Sequence, residues 1–207
     1  MDSIGTIVAC TLAAVRELGL AEVPEETIRG TIGLGLRETV DVLSPGCGDE
    51  MLGRILESYR KHWAATYRDM PLLFAGTGEM LRDLAAEGYL LAVATGKSRR
   101  GLDYALEQTG LREIFHATRT ADEACSKPHP QMLLDILEDL RVAPREAVMI
   151  GDTTYDLEMA RSARMAAVGV CSGGHGREEL ERLAPLACLS QVIELAPWLA
   201  QRAAVTA

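Results

Sequence analysis

Apolar residues recur at helical spacing through the first third of the chain. Ile7, Leu12, Val15, Leu18 and Leu20 form one such series, which stops at Gly19 and Pro24. A short segment at Thr27-Ile28 follows, then helices over Leu34 to Leu43 and Met51 to Tyr67, separated by glycine or proline signals such as Ser44-Pro45-Gly46. Near Met70-Pro71 the pattern changes, and amphipathic helices begin to alternate with short apolar runs. A helix around Glu79 to Glu87 precedes Leu90-Leu91-Ala92-Val93-Ala94, and one over Gly101 to Thr109 precedes Phe115-His116-Ala117. Pro130 to Leu140 precedes Ala147-Val148-Met149-Ile150, and Asp156 to Ala163 precedes Ala167-Val168-Gly169-Val170. Unbroken apolar runs between helices are what a parallel sheet covered on both faces requires. The pattern predicts an all-helical subdomain over residues 1–70 and an open α/β core with a parallel sheet over residues 71–207.

Composition narrows the class. With 48% hydrophobic and 25% charged residues in 207, the chain has the balance of a globular domain, which excludes disorder and collagen-like fibre. Aromatic residues make up 4%, so the core has to be built from Leu, Val, Ile, Ala and Met. A net charge of -9 argues against a general nucleic-acid binder. It does not forbid an anionic substrate, because a few amides, one lysine and a metal make a site locally positive. Cys10, Cys47, Cys125, Cys171 and Cys188 are odd in number and have no CxxC spacing, which fits reduced thiols in a cytoplasmic protein. No apolar run reaches membrane-spanning length and the N-terminus has no signal-peptide core, so no membrane partner is expected. Oligomeric state is not legible.

In open α/β sheets chemistry collects where strand ends meet helix N-termini. One strand ends in Thr95-Gly96-Lys97-Ser98 and another in Gly151-Asp152-Thr153-Thr154-Tyr155-Asp156, while the loop between them carries Ser126-Lys127-Pro128-His129-Pro130. Asp152 and Asp156 suit a hard divalent cation such as Mg²⁺, which takes one or two carboxylates and fills its shell with water and phosphate oxygens. They also suit helix capping, where Asp is common anyway. Thr95 and Gly96 offer a hydroxyl and open amides to an anion, or form an ordinary capped turn. Lys127, held extended by Pro128, is a fixed cation for a phosphate or a nearby carboxylate, or a surface lysine. Lys97-Ser98-Arg99-Arg100 reads as a solvated helix start. His129 and His175 read as loop residues, and Trp63, Trp198 and the methionines as packing.

Ala92-Val93-Ala94-Thr95-Gly96-Lys97, Ser126-Lys127-Pro128 and Ile150-Gly151-Asp152-Thr153-Thr154-Tyr155-Asp156 resemble, in order, the second, third and fourth motifs of the haloacid dehalogenase-like hydrolases. The phosphoglycolate phosphatase-like branch is the nearest look, and Ile32-Gly33-Leu34-Gly35-Leu36 extends the likeness into the helical region. The resemblance implies a Rossmann-like core under a helical cap and a Mg²⁺-dependent phosphatase acting on a small phosphorylated metabolite through an aspartyl-phosphate. Thr95, Gly96, Lys97 and Lys127 would bind substrate, Thr95 and Lys127 at the transferring phosphoryl group, with Lys127 also steadying the nucleophile. Asp152 would bind Mg²⁺ with Asp156 in support.

The chain departs from the family pattern at the first motif, Asp-x-Asp-Gly-Thr on an N-terminal strand, which supplies nucleophile and acid/base. Met1-Asp2-Ser3 matches the stretch just after that motif. Forcing Asp2-Ser3-Ile4-Gly5-Thr6 onto it makes Asp2 the nucleophile but puts Ile4 in place of the acid/base. The resemblance therefore predicts that the first core strand, mid-sheet between those ending at Thr95 and Asp152, is absent and that the chain is inactive as it stands. The alternative function is a non-catalytic phosphate-sensing or protein-binding relative. A phosphomutase is a third reading, and a dehalogenase is disfavoured by Lys127, Asp152 and Asp156 together. Arg164 stands where relatives usually have glycine, which strains that turn.

Overall fold

The computed structural model describes residues 3–66 and 72–206, with backbone only for 203–206. The expected boundary at residues 70/71, and Asp2, lie outside the described residues. Up to residue 66 the regular structure is helical: α1 (Ile4–Glu17), α2 (Glu25–Arg29), α3 (Leu36–Leu43) and α4 (Asp49–Thr66). The buried stripe of α1 includes Val8, Thr11, Ala14 and Val15, at the three- and four-residue spacing of a helix face, and the helix packs on α4. At its C-terminal end Glu17 accepts hydrogen bonds from Lys61 at 2.9 Å and Ser58 at 3.0 Å, and lies 2.7 Å from His62. Lys61 foremost holds the Glu17 carboxyl down at about 2.

Beyond residue 72 helices and strands alternate. α5 (Thr77–Ala86), β1 (Leu91–Thr95), α6 (Arg99–Thr109), β2 (Phe115–Thr120), α7 (Gln131–Leu140), β3 (Val148–Gly151) and α8 (Thr154–Ser162) come first. β4 (Ala166–Val170), α9 (Arg177–Glu181), β5 (Cys188–Leu189) and α10 (Leu195–Thr206) complete the core. The four apolar runs become β1 to β4. β5 is only two residues long, and neither it nor the flanking α9 and α10 was expected from the pattern. The Arg164 turn is left-handed, at φ 57°, a conformation that an L side chain adopts at a cost.

All strand pairs are parallel, but the sheet is in two pieces, β1-β2 and β3-β4-β5. Side chains place the pieces edge to edge. On one face Leu91 of β1 and Val148 and Ile150 of β3 pack on one cluster built from Met80, Leu84, Val168, Leu189 and Leu195. On the other face Ala94 of β1, Met149 of β3 and Ala167 of β4 pack on Met132, Leu133, Met159 and Ala160 of α7 and α8. Strand alternation thus feeds both helical layers continuously across the break. Among the described residues no strand bridges β1 to β3, which leaves a seam between the two pieces. Its edges are poorly covered: Ala92, in the middle of β1, is exposed, whereas Val168 of β4 is fully buried.

Candidate active site

The site is assembled from the loops after the strands' carboxyl ends. After β3, Thr153 caps α8: its hydroxyl accepts from the Asp156 amide at 3.3 Å, and Asp156 Oδ2 accepts from the Thr153 amide at 3.1 Å and its hydroxyl at 2.8 Å. This reciprocal box serves two of the helix's free N–H groups. The other oxygen of Asp156 lies 2.6 Å from Lys127 Nζ, and the two residues are 2% and 8% exposed. A buried charge pair survives when both partners are hydrogen-bonded further, as Asp156 is through Thr153. Both carboxylate oxygens of Asp156 are therefore engaged, and its direct task is to hold Lys127.

Asp152 is different. Its Oδ2 accepts from the Gly174 amide at 2.9 Å and its carbonyl from the His175 amide at 3.0 Å, while among the described residues Oδ1 accepts nothing. Gly173 has to be glycine there, because a Cβ would overlap the Asp152 side chain. His175, expected to be a mere loop residue, is 9% exposed and takes part in the construction: Nδ1 accepts from the Thr154 amide at 3.0 Å. That bond assigns the proton of a neutral imidazole to Nε2, which is buried without a partner among the described residues. The Gly173-Gly174-His175 run after the last long strand was the sequence signal for this clamp.

After β1, Thr95 Oγ1 accepts from the Lys97 amide at 3.2 Å, which leaves its hydroxyl proton free to donate. Ser98 caps α6, accepting from Gly101 at 3.2 Å, so the run does start a helix. It is not simply solvated. Lys97 is half-buried with its ammonium 5.1 Å from the centre of the Trp63 ring, and burial pushes its pKa down to about 8. Trp63, read as packing, thus meets the Lys97 ammonium while stacking on Tyr59. Arg99 turns away to Glu123 at 2.6 Å.

One six-residue stretch of the helical region touches the loops after four strands. Tyr155 Oη donates to the Gly30 carbonyl at 2.8 Å, and the Gly35 amide donates to Ser126 Oγ at 2.9 Å. A Cβ on Gly33 would lie 2.9 Å from Thr153 Oγ1, and one on Gly174 would lie 3.3 Å from Ile32. A Cβ on Gly96 would lie 2.9 Å from the Gly33 carbonyl oxygen. Six residues reach about 20 Å at most, so Thr95-Gly96, Ser126-Lys127, Asp152-Thr153 and Gly174 converge beneath them. The roles of Ser126 and Tyr155 were not foreseen.

A single carboxylate with an open oxygen fits Mg²⁺, which keeps several waters and takes phosphate oxygens. Among the described residues no cluster of three or more His, Cys, Asp or Glu could chelate a metal, so Asp152 would hold such an ion only with substrate or a further group. All five cysteines are free, and no described helix is long and apolar enough to cross a membrane.

Residues 1–170 match the family model described as haloacid dehalogenase-like hydrolase. The "Probable phosphatase IndB" of Dickeya dadantii is 35% identical over 193 residues, 89% of this chain and 82% of that protein. A phosphoglycolate phosphatase of Psychrobacter arcticus is 28% identical over 89% of this chain and 84% of its own length. A Bacillus cereus pyrophosphatase, PpaX, is 29% identical, over 83% of this chain and 78% of its own. A crystal structure of a Pseudomonas syringae hydrolase superposes with a TM-score of 0.87 at 24% identity, covering 97% of this chain and 93% of that one, a likeness of fold.

Proposed function

The chain belongs to the haloacid dehalogenase-like hydrolase family, and on that footing we propose that its site serves Mg²⁺-dependent phosphoryl transfer from a small phosphate ester or anhydride. The observation that carries this reading is the buried Lys127–Asp156 pair beside the half-open Asp152 carboxylate, under the 30–35 segment. Lys127, fixed by Asp156, donates to an equatorial phosphoryl oxygen, and the Thr95 hydroxyl donates to another. Gly96 lets the loop's backbone come close to the anion, and Lys97 adds positive charge at the rim. Preorganised donors of this kind stabilise charge where it develops in transfer. A cation held by Asp152 would neutralise phosphoryl oxygens.

The relatives named above are a phosphatase, a phosphoglycolate phosphatase and a pyrophosphatase, so the shared substrate chemistry is a small molecule with a terminal phosphoryl group. The described loops after β1 and β3 offer Asp152 and Asp156 as their carboxylates, and both have other work. We therefore expect the 207-residue chain to bind phosphate and Mg²⁺ but to hydrolyse p-nitrophenyl phosphate poorly.

The experiment is phosphate binding by calorimetry with and without Mg²⁺, alongside p-nitrophenyl phosphate turnover. Asp152→Asn should abolish the Mg²⁺ dependence of binding. An unchanged Mg²⁺ dependence in that variant would make Asp152 a structural cap. Robust turnover that disappears in Asp2→Asn would assign the nucleophile to Asp2.

A further inference from the structure

The 30–35 segment is joined to the core by two hydrogen bonds from opposite sides of the site. One runs from the Tyr155 hydroxyl to the Gly30 carbonyl, 125 residues away in sequence, and the other from the Gly35 amide to Ser126 Oγ. Between these ends the segment rests on glycine contacts that leave no room for a side chain, with Gly33 in the left-handed region at φ 106° against Thr153. Its ends are therefore pinned while its middle is seated by shape.

Tyr155 stands on the first turn of α8, between Asp152 and Asp156. Its ring lies 5.6 Å from that of His175, which accepts the adjacent Thr154 amide and whose own amide bonds the Asp152 carbonyl. Whatever sets the Asp152 loop thus also sets the direction of the Tyr155 hydroxyl. Its target, Gly30, is an exposed residue at the C-terminal end of a helix of only five residues, so this hydrogen bond supplies order that the helix itself lacks.

We propose that Tyr155 is a positioning residue that latches the 30–35 segment as a roof over the phosphate loops, with Ser126 as the second latch. What the roof covers rests on the phosphoryl-transfer reading, but the latch itself stands on geometry alone. Opening the roof requires breaking the Tyr155–Gly30 bond at one end or the Ser126–Gly35 bond at the other. Each is worth a typical net hydrogen bond, so loss of either should raise the opening equilibrium about three- to ten-fold.

The test is native-state amide exchange in the 207-residue chain, comparing wild type, Tyr155→Phe and Ser126→Ala. Tyr155→Phe keeps the ring against His175 and removes only the donor. Exchange at Thr31 to Leu34 should accelerate about three- to ten-fold in Tyr155→Phe and stay insensitive to low urea, the mark of a local opening, while the melting temperature falls by no more than a few degrees. Ser126→Ala should accelerate the same residues, with Gly35 the most affected. If exchange at 31–34 instead becomes urea-dependent and merges with that of α8 and β4, the segment opens only by global unfolding, Tyr155 has a general structural role and the latch is wrong. Unchanged exchange at 31–34 in both variants overturns it equally. Because no ligand enters this measurement, its failure is distinct from a failure to bind phosphate or Mg²⁺.

Discussion

Two strands with nearly interchangeable sequences have different fates. Leu91-Ala92-Val93-Ala94 and Ala167-Val168-Gly169-Val170 are both short apolar runs between amphipathic helices. β4 lies between β3 and β5 and buries Val168 and Val170 to 0% and 6% exposure, whereas among the described residues β1 has a partner on one side only and leaves Ala92 exposed. Burial therefore follows the neighbours a strand has, not its own composition. The difference also bears on the proposed chemistry. Thr95 ends β1 and Asp152 follows β3, the two strands that border the seam, so the candidate site sits where the described sheet is least complete.

Charge pairs sharpen that contrast. Lys127→Ala should have the largest effect, because it leaves the Asp156 carboxylate buried without its cation, and removing one partner of such a pair costs about 3–5 kcal/mol. The paired change Lys127→Met with Asp156→Asn should recover much of that loss. Urea unfolding of the wild type and the two variants checks both, and equal stabilities would mean that the pair is solvated. Next comes packing. Met159→Ala, at a fully buried position beneath β3 and β4, should cost about 2–5 kcal/mol. Ala92→Ser at the exposed seam position should stay within about 0.5 kcal/mol. Comparable losses at the two positions would show that the seam is as closed as the rest of the sheet.

The smallest effect belongs to the partly exposed pair outside β2. Its hydrogen bond to Arg99, above all, holds the Glu123 carboxyl at about 2, below its ordinary 4.5. A depressed folded-state pKa adds stability that is fully present above about 4.5 and is lost as pH falls through 2. Acid melts of Glu123→Gln should show a shallower decline than wild type over that window, and parallel curves would remove the pair from the account.

Most of the fold was legible because period and punctuation agree. Four apolar runs and the helices before them stand where the spacing places them. β5, two residues long, was not, since so short a strand has no alternation to read. At the site, Thr95, Lys127 and Asp152 could be placed because strand ends and a Lys-Pro turn mark them. Which oxygen holds which partner could not. The division of labour between Asp152 and Asp156 depends on Lys127, and Lys127 is 29 positions from Asp156. Tyr155 likewise depends on Gly30, and Lys97 on Trp63, contacts that only the folded chain makes.

The candidate site stands at an open seam between the described β1 and β3. Successive backbone groups of a strand point alternately to its two sides, so a strand with one partner protects only alternate amides. The direct measurement is residue-resolved amide exchange over Leu91–Thr95, Val148–Gly151 and Ala166–Val170. The seam predicts alternating fast and slow amides in the first two segments and continuous protection through the core of the third. Continuous protection across β1 and β3 would contradict it and would mean that the two half-sheets are joined.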